Sequence, residues 1–208
     1  MLAALALISN AAFATADPNH INFTLEGCRN TGSVVLTPVL PSNTLICPDS
    51  AYTTGNLGKG WNELDLVPHR LTVGDGGPTQ TYAMVIAADN CRGGGTTIYD
   101  CADGTHQTPG YDVITAPILN TALSDASCTA LDPGTQLFEA PGQGGAAVSI
   151  YRVLTITQQA GSTCVYDWDE RLALGSHLYP GSALHSDLLN QALTTSGIGS
   201  KEVSIPFK

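Results

Sequence analysis

The stretch AVSIYRVLTITQQAGSTCVYDWDERL, residues 147–172, decides the reading of this chain. Its first half, Ala147 to Thr157, is dense in β-branched and aromatic residues, the side chains that fit a pleated, half-buried surface. Gln158 to Ser162 is polar and contains Gly161, a residue free to take positive φ in a turn. From Thr163 the pattern alternates, with Cys164, Tyr166 and Trp168 on one face and Val165, Asp167 and Asp169 on the other. The spacing predicts a β-hairpin with Ala160 and Gly161 at its tip. That register sets Cys164 opposite Thr157, Tyr166 opposite Thr155 and Arg152 opposite Asp169 as a cross-strand charge pair.

Strand patterns of the same kind run outward in both directions. Residues 20–26 alternate strictly, with Ile21, Phe23 and Leu25 on one face. Residues 33–40 and 44–47 read as short strands, and 61–73 as an alternating run broken at Pro68, which points to an edge strand or a bend. Residues 81–88 are almost continuously apolar, as in a central strand buried on both faces. Short strands are expected at 96–101, 111–119, 129–131 and 135–140. The closing run 201–208 alternates around Val203, Ile205 and Phe207, and Pro206 limits it to an edge strand or a linker from about residue 200. One segment predicts a helix: residues 182–193 set Leu184, Leu188, Leu189, Ala192 and Leu193 on one side, with Ser182 able to cap it and Gly197 beyond its end. Many short strands separated by Gly/Pro turns predict an all-β fold, a disulfide-stabilised antiparallel sandwich of immunoglobulin-like or jelly-roll-like kind with that one short helix.

The first sixteen residues carry no charge, and the apolar run Leu2 to Ile8 precedes Ala12-Phe13-Ala14 and Ala14-Thr15-Ala16. These are the marks of a secretory signal peptide, with residues 17–208 as a single mature β domain. No later stretch is long enough to cross a bilayer as a helix. Eighteen acidic against eight basic side chains give a net charge of −10, which argues against nucleic acid and anionic lipid as partners and leaves room for calcium. Six cysteines behind an export signal predict three disulfides, not a zinc site, since no C-x-x-C spacing occurs. Six cysteines permit fifteen connectivities. Cys91 and Cys101 bracket a turn and close a short loop, and Cys28–Cys47 and Cys128–Cys164 follow in order.

Motifs for chemistry are sparse. There is no G-x-S-x-G pentapeptide and no H-E-x-x-H. Ser182, His185 and Asp187 are close in sequence, but a helix would turn His185 and Asp187 to different sides. The histidines His20, His69, His106, His177 and His185 are scattered, although His177 and His185 flank a turn and could meet. Asp167, Asp169 and Glu170 are the densest carboxylate group, read as rim charges beside Arg152 with calcium at Asp167 and Asp169 as the minority alternative. Acid pairs of this sort also serve glycoside hydrolysis, but nothing fixes their separation. Trp61 stands at the end of a glycine-rich loop, as a strand-opening core residue or, alternatively, a platform for a glycan ring. Asn22-Phe23-Thr24 is a glycosylation sequon, meaningful only in a eukaryotic secretory route.

Three segments carry a resemblance: GNLGKGWNELDLVPHR at 55–70, RLALGSHLYPGS at 171–182 and VSIP at 203–206. They resemble the N-terminal portion of large secreted bacterial surface proteins that continue into prealbumin-like or immunoglobulin-like β repeats. The resemblance implies an exported, non-catalytic structural or adhesive module of a cell surface or extracellular filament. Its partners would be neighbouring copies or further β domains. It supplies no site residues. The alternatives are a carbohydrate-binding module using Trp61, a subunit polymerising by β-strand addition through 20–26 or 202–207, and, last, a secreted hydrolase.

Overall fold

The two strands of the 147–172 stretch do not pair with each other. In the computed structural model, which describes residues 21–74, 77–92, 110–141, 147–179, 182–195, 197–199 and 201–206, they lie in opposite sheets of a β-sandwich. The strands are β1 (Asn22–Cys28), β2 (Thr37–Val39), β3 (Thr44–Ile46), β4 (Tyr52–Thr53), β5 (Leu66–Gly74), β6 (Gln80–Arg92), β7 (Tyr111–Ile114), β8 (Ile118–Leu119), β9 (Gln136–Pro141), β10 (Ala147–Gln158), β11 (Cys164–Leu172), β12 (Ala183–Asn190) and β13 (Glu202–Pro206). One sheet has the order β4-β1-β5-β11-β7, with β8 also on β11; the other has β13-β12-β6-β10-β9; β2 and β3 form a small separate ribbon. All pairings between these strands are antiparallel.

The expected hairpin is therefore an arch. Both halves of the stretch carry a full apolar face: Ile150, Leu154 and Ile156 on β10, and Cys164, Tyr166 and Trp168 on β11, all of them fully buried. In a hairpin those faces would lie side by side, whereas in an arch they meet across the core. The link is held by Gln158, whose buried side-chain amide donates to the Ser162 carbonyl at 2.8 Å while its oxygen accepts from the Tyr82 hydroxyl at 3.0 Å. Gly161 takes φ +69°, as the turn requires. In consequence Cys164 lies opposite Val73, not Thr157, and Tyr166 lies opposite Leu71, not Thr155. The Arg152–Asp169 pair is not formed. Arg152 instead donates to the Ile114 and Gly134 carbonyls at 2.7 Å each, bridging β10 to the edge of the facing sheet.

The predicted helix at 182–193 is the second correction. Residues 183–190 form β12, hydrogen-bonded to β6 on one side and β13 on the other. The i, i+4 spacing of Leu184 and Leu188 suits either period, since both also lie two apart along a strand from Ser186. Two flanking ladders outweigh helix propensity here. Among the described residues the helical pieces are 3-10 turns at Asp49–Ala51 and Ser176–Leu178.

Other expectations hold. β6 is the central strand of its sheet, and β13 is an edge strand. Pro68 sits inside β5 without bending it away. The β1 ladder ends at the Gly27–His69 pair, so at Pro68 the strand is locally an edge on that side and its missing N–H is tolerated. The disulfides Cys28–Cys47 and Cys128–Cys164 are formed. Cys91 is also disulfide-bonded, but Cys101, like the segment 1–16 read as a signal peptide and the strand expected at 96–101, lies outside the described residues. Residues 129–131 form no strand.

Removing the Cys128–Cys164 bridge by a double Cys→Ala change should lower unfolding stability by about 3–4 kcal/mol on the chain-entropy scale. Cys28–Cys47 closes a shorter loop (separation 19 against 36) and should cost about 0.5 kcal/mol less. Urea denaturation of both double variants checks the order.

Candidate functional site

Three groups of polar side chains stand out, and β11 contributes to two of them. On its inner face Glu170 is completely buried between the sheets. It accepts from the Trp168 indole N–H at 3.0 Å and from the Ser186 hydroxyl on β12, so a carboxylate of one sheet is bonded to a hydroxyl of the other. His69 on β5 stacks on Trp168 with ring centroids 5.7 Å apart. Its Nδ1 lies 2.8 Å from the Val67 carbonyl, so the proton belongs there, and Nε2 faces Glu170 Oε2 at 3.5 Å. Serine, histidine and glutamate thus converge, but the glutamate sits between the other two instead of histidine. All three are sealed from solvent. The arrangement ties the sheets together and has no route for a substrate.

The outer face of β11 carries the carboxylates read from sequence as rim charges. That reading is overturned: Asp167 and Asp169 are each 1% exposed. The β2–β3 ribbon and the segment around Asp49 and Asn120 lie over this face as a third layer. Asp167 accepts from Arg70 Nε at 2.8 Å and from the Asn120 amide at 2.7 Å. Arg70 reaches on to Asp49 at 2.9 Å, and its guanidinium lies 3.9 Å over the Tyr52 ring. Asp169 accepts from the Leu45 backbone N–H on β3 at 2.9 Å. Burial, aided by the nearby Asp167 and Glu170 charges, pushes its carboxyl up to about 7. For calcium at Asp167 and Asp169, the counter-charge is already supplied by Arg70. Among the described residues no cluster of three His, Cys, Asp or Glu side chains is arranged to hold a metal.

The third group lies on the far face of the other sheet. As β12 is a strand, His185 and Asp187 share a side, contrary to the helical reading, and Ser182 is not near them as a triad. His185 Nδ1 and backbone N both lie 3.0 Å from Asp89 Oδ2, and this bond raises the imidazole above its ordinary value. Asp187 is buried beside Glu202 and Asp89, and desolvation followed by those two charges pushes it up to about 8. His177 does not meet His185; it pairs with Glu63. His20, His106, Asp75, Asp100 and Asp103 lie outside the described residues.

An open cavity of about 470 Å³ is found at one end of the sandwich. Leu172 of β11, Leu184 of β12, Ile205 and Pro206 of β13, and Trp61 form its apolar wall; Lys59, Asn62, Glu63, Ser176 and His177 supply its polar lining. Trp61 is 5% exposed, and its indole N–H is shared between the Cys28 and Leu57 carbonyls at 3.2 Å each. Little ring surface remains for a sugar to stack on, so Trp61 is a core residue that borders a cavity and not an exposed platform. Glu63 and His177 join the two loops at the mouth, and the histidine holds the Glu63 carboxyl below its ordinary value. Sequence reasoning missed this meeting because the two residues are 114 apart and lie in loops without period.

Two measurements follow from these groups. Arg70→Met leaves Asp167 buried without its cation and should cost about 3–5 kcal/mol; adding Asp167→Asn should restore much of that, a coupling readable in a double-mutant cycle by urea unfolding. The second concerns pH. A carboxyl raised in the folded state keeps its proton there while the unfolded chain has released it. Stability from Asp169 and Asp187 is therefore greatest near pH 4 and falls as pH rises toward about 7 and about 8. The raised His185 works in the same direction. Asp187→Asn should raise the melting temperature at pH 8 and leave it little changed at pH 4.

No family model, curated protein or solved structure matches this chain, and the function of these groups rests on their own geometry.

Proposed function

We propose that the protein is a secreted, non-catalytic structural or adhesive module of a bacterial cell surface or extracellular filament. The observation that carries this reading is the placement of the first and last strands. β1 begins at Asn22, opposite Gly74 and next to the Cys164 end of β11. β13 ends at Pro206, opposite Ala183 and beside Leu172 at the other end of β11. The backbone enters the sandwich at one pole and leaves at the other. Neighbours attached at the two poles would lie in line, so tension along a chain of such modules would load the sandwich lengthwise.

The disulfides support an oxidising setting, and no described helix is long and apolar enough to span a membrane. Polymerisation by donating strand 20–26 or 202–207 is less favoured. β1 is paired with β5 and β4, and β13 is paired with β12 while Ser204 also exchanges backbone bonds with Gly55 and Leu57. Both candidate donor strands are used within their own chain.

Electron microscopy of native secreted material should show elongated arrays or surface fibres with an axial repeat no shorter than the length of β11, roughly 30 Å for nine residues. Dispersed single particles with no association to the cell surface would refute the module reading.

A further inference from the structure

We propose that the cavity at the Pro206 pole binds a small amphiphile with an anionic head, such as an acyl-chain carboxylate. This inference does not depend on the module reading.

The volume lies in the range where proteins hold small ligands, and the two ends of the site differ in chemistry. Leu172 and Leu184 face each other from opposite sheets, so the wall is the mouth of the sandwich interior, left open where the strands end. It suits a hydrocarbon chain, with no buried polar group in need of a partner from the ligand. At the opening the only acid among the lining residues, Glu63, is already bound to His177. Lys59 is exposed and makes no ion pair among the described residues, so its ammonium is free to meet an anionic head at the mouth. It is one of three lysines in a chain of net charge −10. A carboxylate near Lys59 complements that charge while its chain enters the apolar wall.

The site is also rigid before any ligand arrives. Trp61 is fixed by its two indole hydrogen bonds, the Leu64 N–H donates to the Leu172 carbonyl at 2.9 Å, and the Leu172 N–H donates to the Asp65 carbonyl at 3.0 Å. Little ordering remains to oppose binding. The loops that Glu63 and His177 join expose Leu64, Leu174 and Leu178, each more than half accessible. Monomeric proteins seldom gather large exposed apolar side chains at one place without use.

Calorimetric titration of the full secreted protein with dodecanoate, kept below its micelle-forming concentration, tests the proposal. The expected result is saturable one-to-one binding that Lys59→Glu, an exposed change, weakens at least tenfold. Octyl glucoside, with an apolar chain and an uncharged sugar head, should bind more weakly than dodecanoate and be indifferent to Lys59→Glu. Quenching of tryptophan fluorescence by a brominated dodecanoate should report Trp61, which borders the cavity, and disappear in Trp61→Phe. Absence of saturable dodecanoate binding, equal affinity in Lys59→Glu, quenching that survives in Trp61→Phe, or tighter binding of the glucoside would each overturn the assignment; the last would hand the cavity to a sugar.

Discussion

A carboxylate in the middle of a sandwich must be solvated by the protein itself, and the way Glu170 achieves this governs the relation of the two sheets. An ion of that kind carries several kcal/mol of desolvation cost when left alone. Glu170 recovers it from an indole N–H two residues away and a hydroxyl on the opposite sheet. The bond to Ser186 has no tolerance for a slip of register in either strand. Moving β12 by one residue would replace Ser186 with His185 or Asp187 and set a second carboxylate or a bulky ring against Glu170. Apolar packing alone would admit several alignments of β12 over β11, and the glutamate selects one.

The same strand explains why β11 lies in the plane of one sheet while contributing to three layers. Its inner face supplies Cys164, Tyr166 and Trp168 to the core. Its outer face supplies Asp167 and Asp169 to a layer built from the β2–β3 ribbon, with Arg70 from the adjacent β5 as the cation that joins Asp167 to Asp49. Cys28–Cys47 joins the end of β1 to the residue just past β3, so the ribbon is covalently tethered to the sheet it covers. The charged layer and the tether act together: the ribbon is too small to bury much apolar area, and it is held to the sheet by the disulfide and by the Leu45 backbone N–H bonded to Asp169.

How much of this was legible in the sequence depends on the range of the signal. Alternation over 164–172 identified the strand and its inward face, because side-chain direction is set locally by the pleat. Cys28–Cys47 and Cys128–Cys164 followed from order along the chain. The partner of each strand was not legible. An apolar strand, a polar five-residue link and a second apolar strand describe an arch as well as a hairpin; the distinction lies in whether two apolar faces meet edge to edge or across a core. Asp167 and Asp169 looked like surface groups because the ribbon above them is far outside any local window, Leu45 standing 124 positions from Asp169. A signal did exist. His69-Arg70 in one strand and Asp167-Trp168 in the other form a charge pair and a ring pair in a single antiparallel register, Arg70 opposite Asp167 and His69 opposite Trp168. Searching for such paired complementarity, and not for the nearest strand, would have found β5 as the neighbour. Residues 183–190 failed for a different reason: Leu184 and Leu188 satisfy both periods, and Ser186 carries the decision only once Glu170 is known to face it.

Burial also changes what the composition means electrically. Of the eighteen acidic side chains, Asp89, Asp167, Asp169, Glu170 and Asp187 lie inside. Asp167 is neutralised by Arg70, and the raised carboxyls of Asp169 and Asp187, at about 7 and about 8, hold protons for part or most of the time at neutral pH. The surface that a partner meets is therefore less acidic than the formal −10, and the acid that remains is unevenly distributed. At the Pro206 pole Lys59 and the histidine-bonded Glu63 both line the cavity, and Lys59 makes no ion pair among the described residues. At an ionic strength near 0.15 M charges more than about 8 Å apart are largely screened from one another. A ligand at that pole thus responds to Lys59 far more than to the net charge of the molecule. The composition argues against extended polyanions, which need a broad basic surface, but it leaves room for a single small anion bound where one lysine stands over an apolar wall.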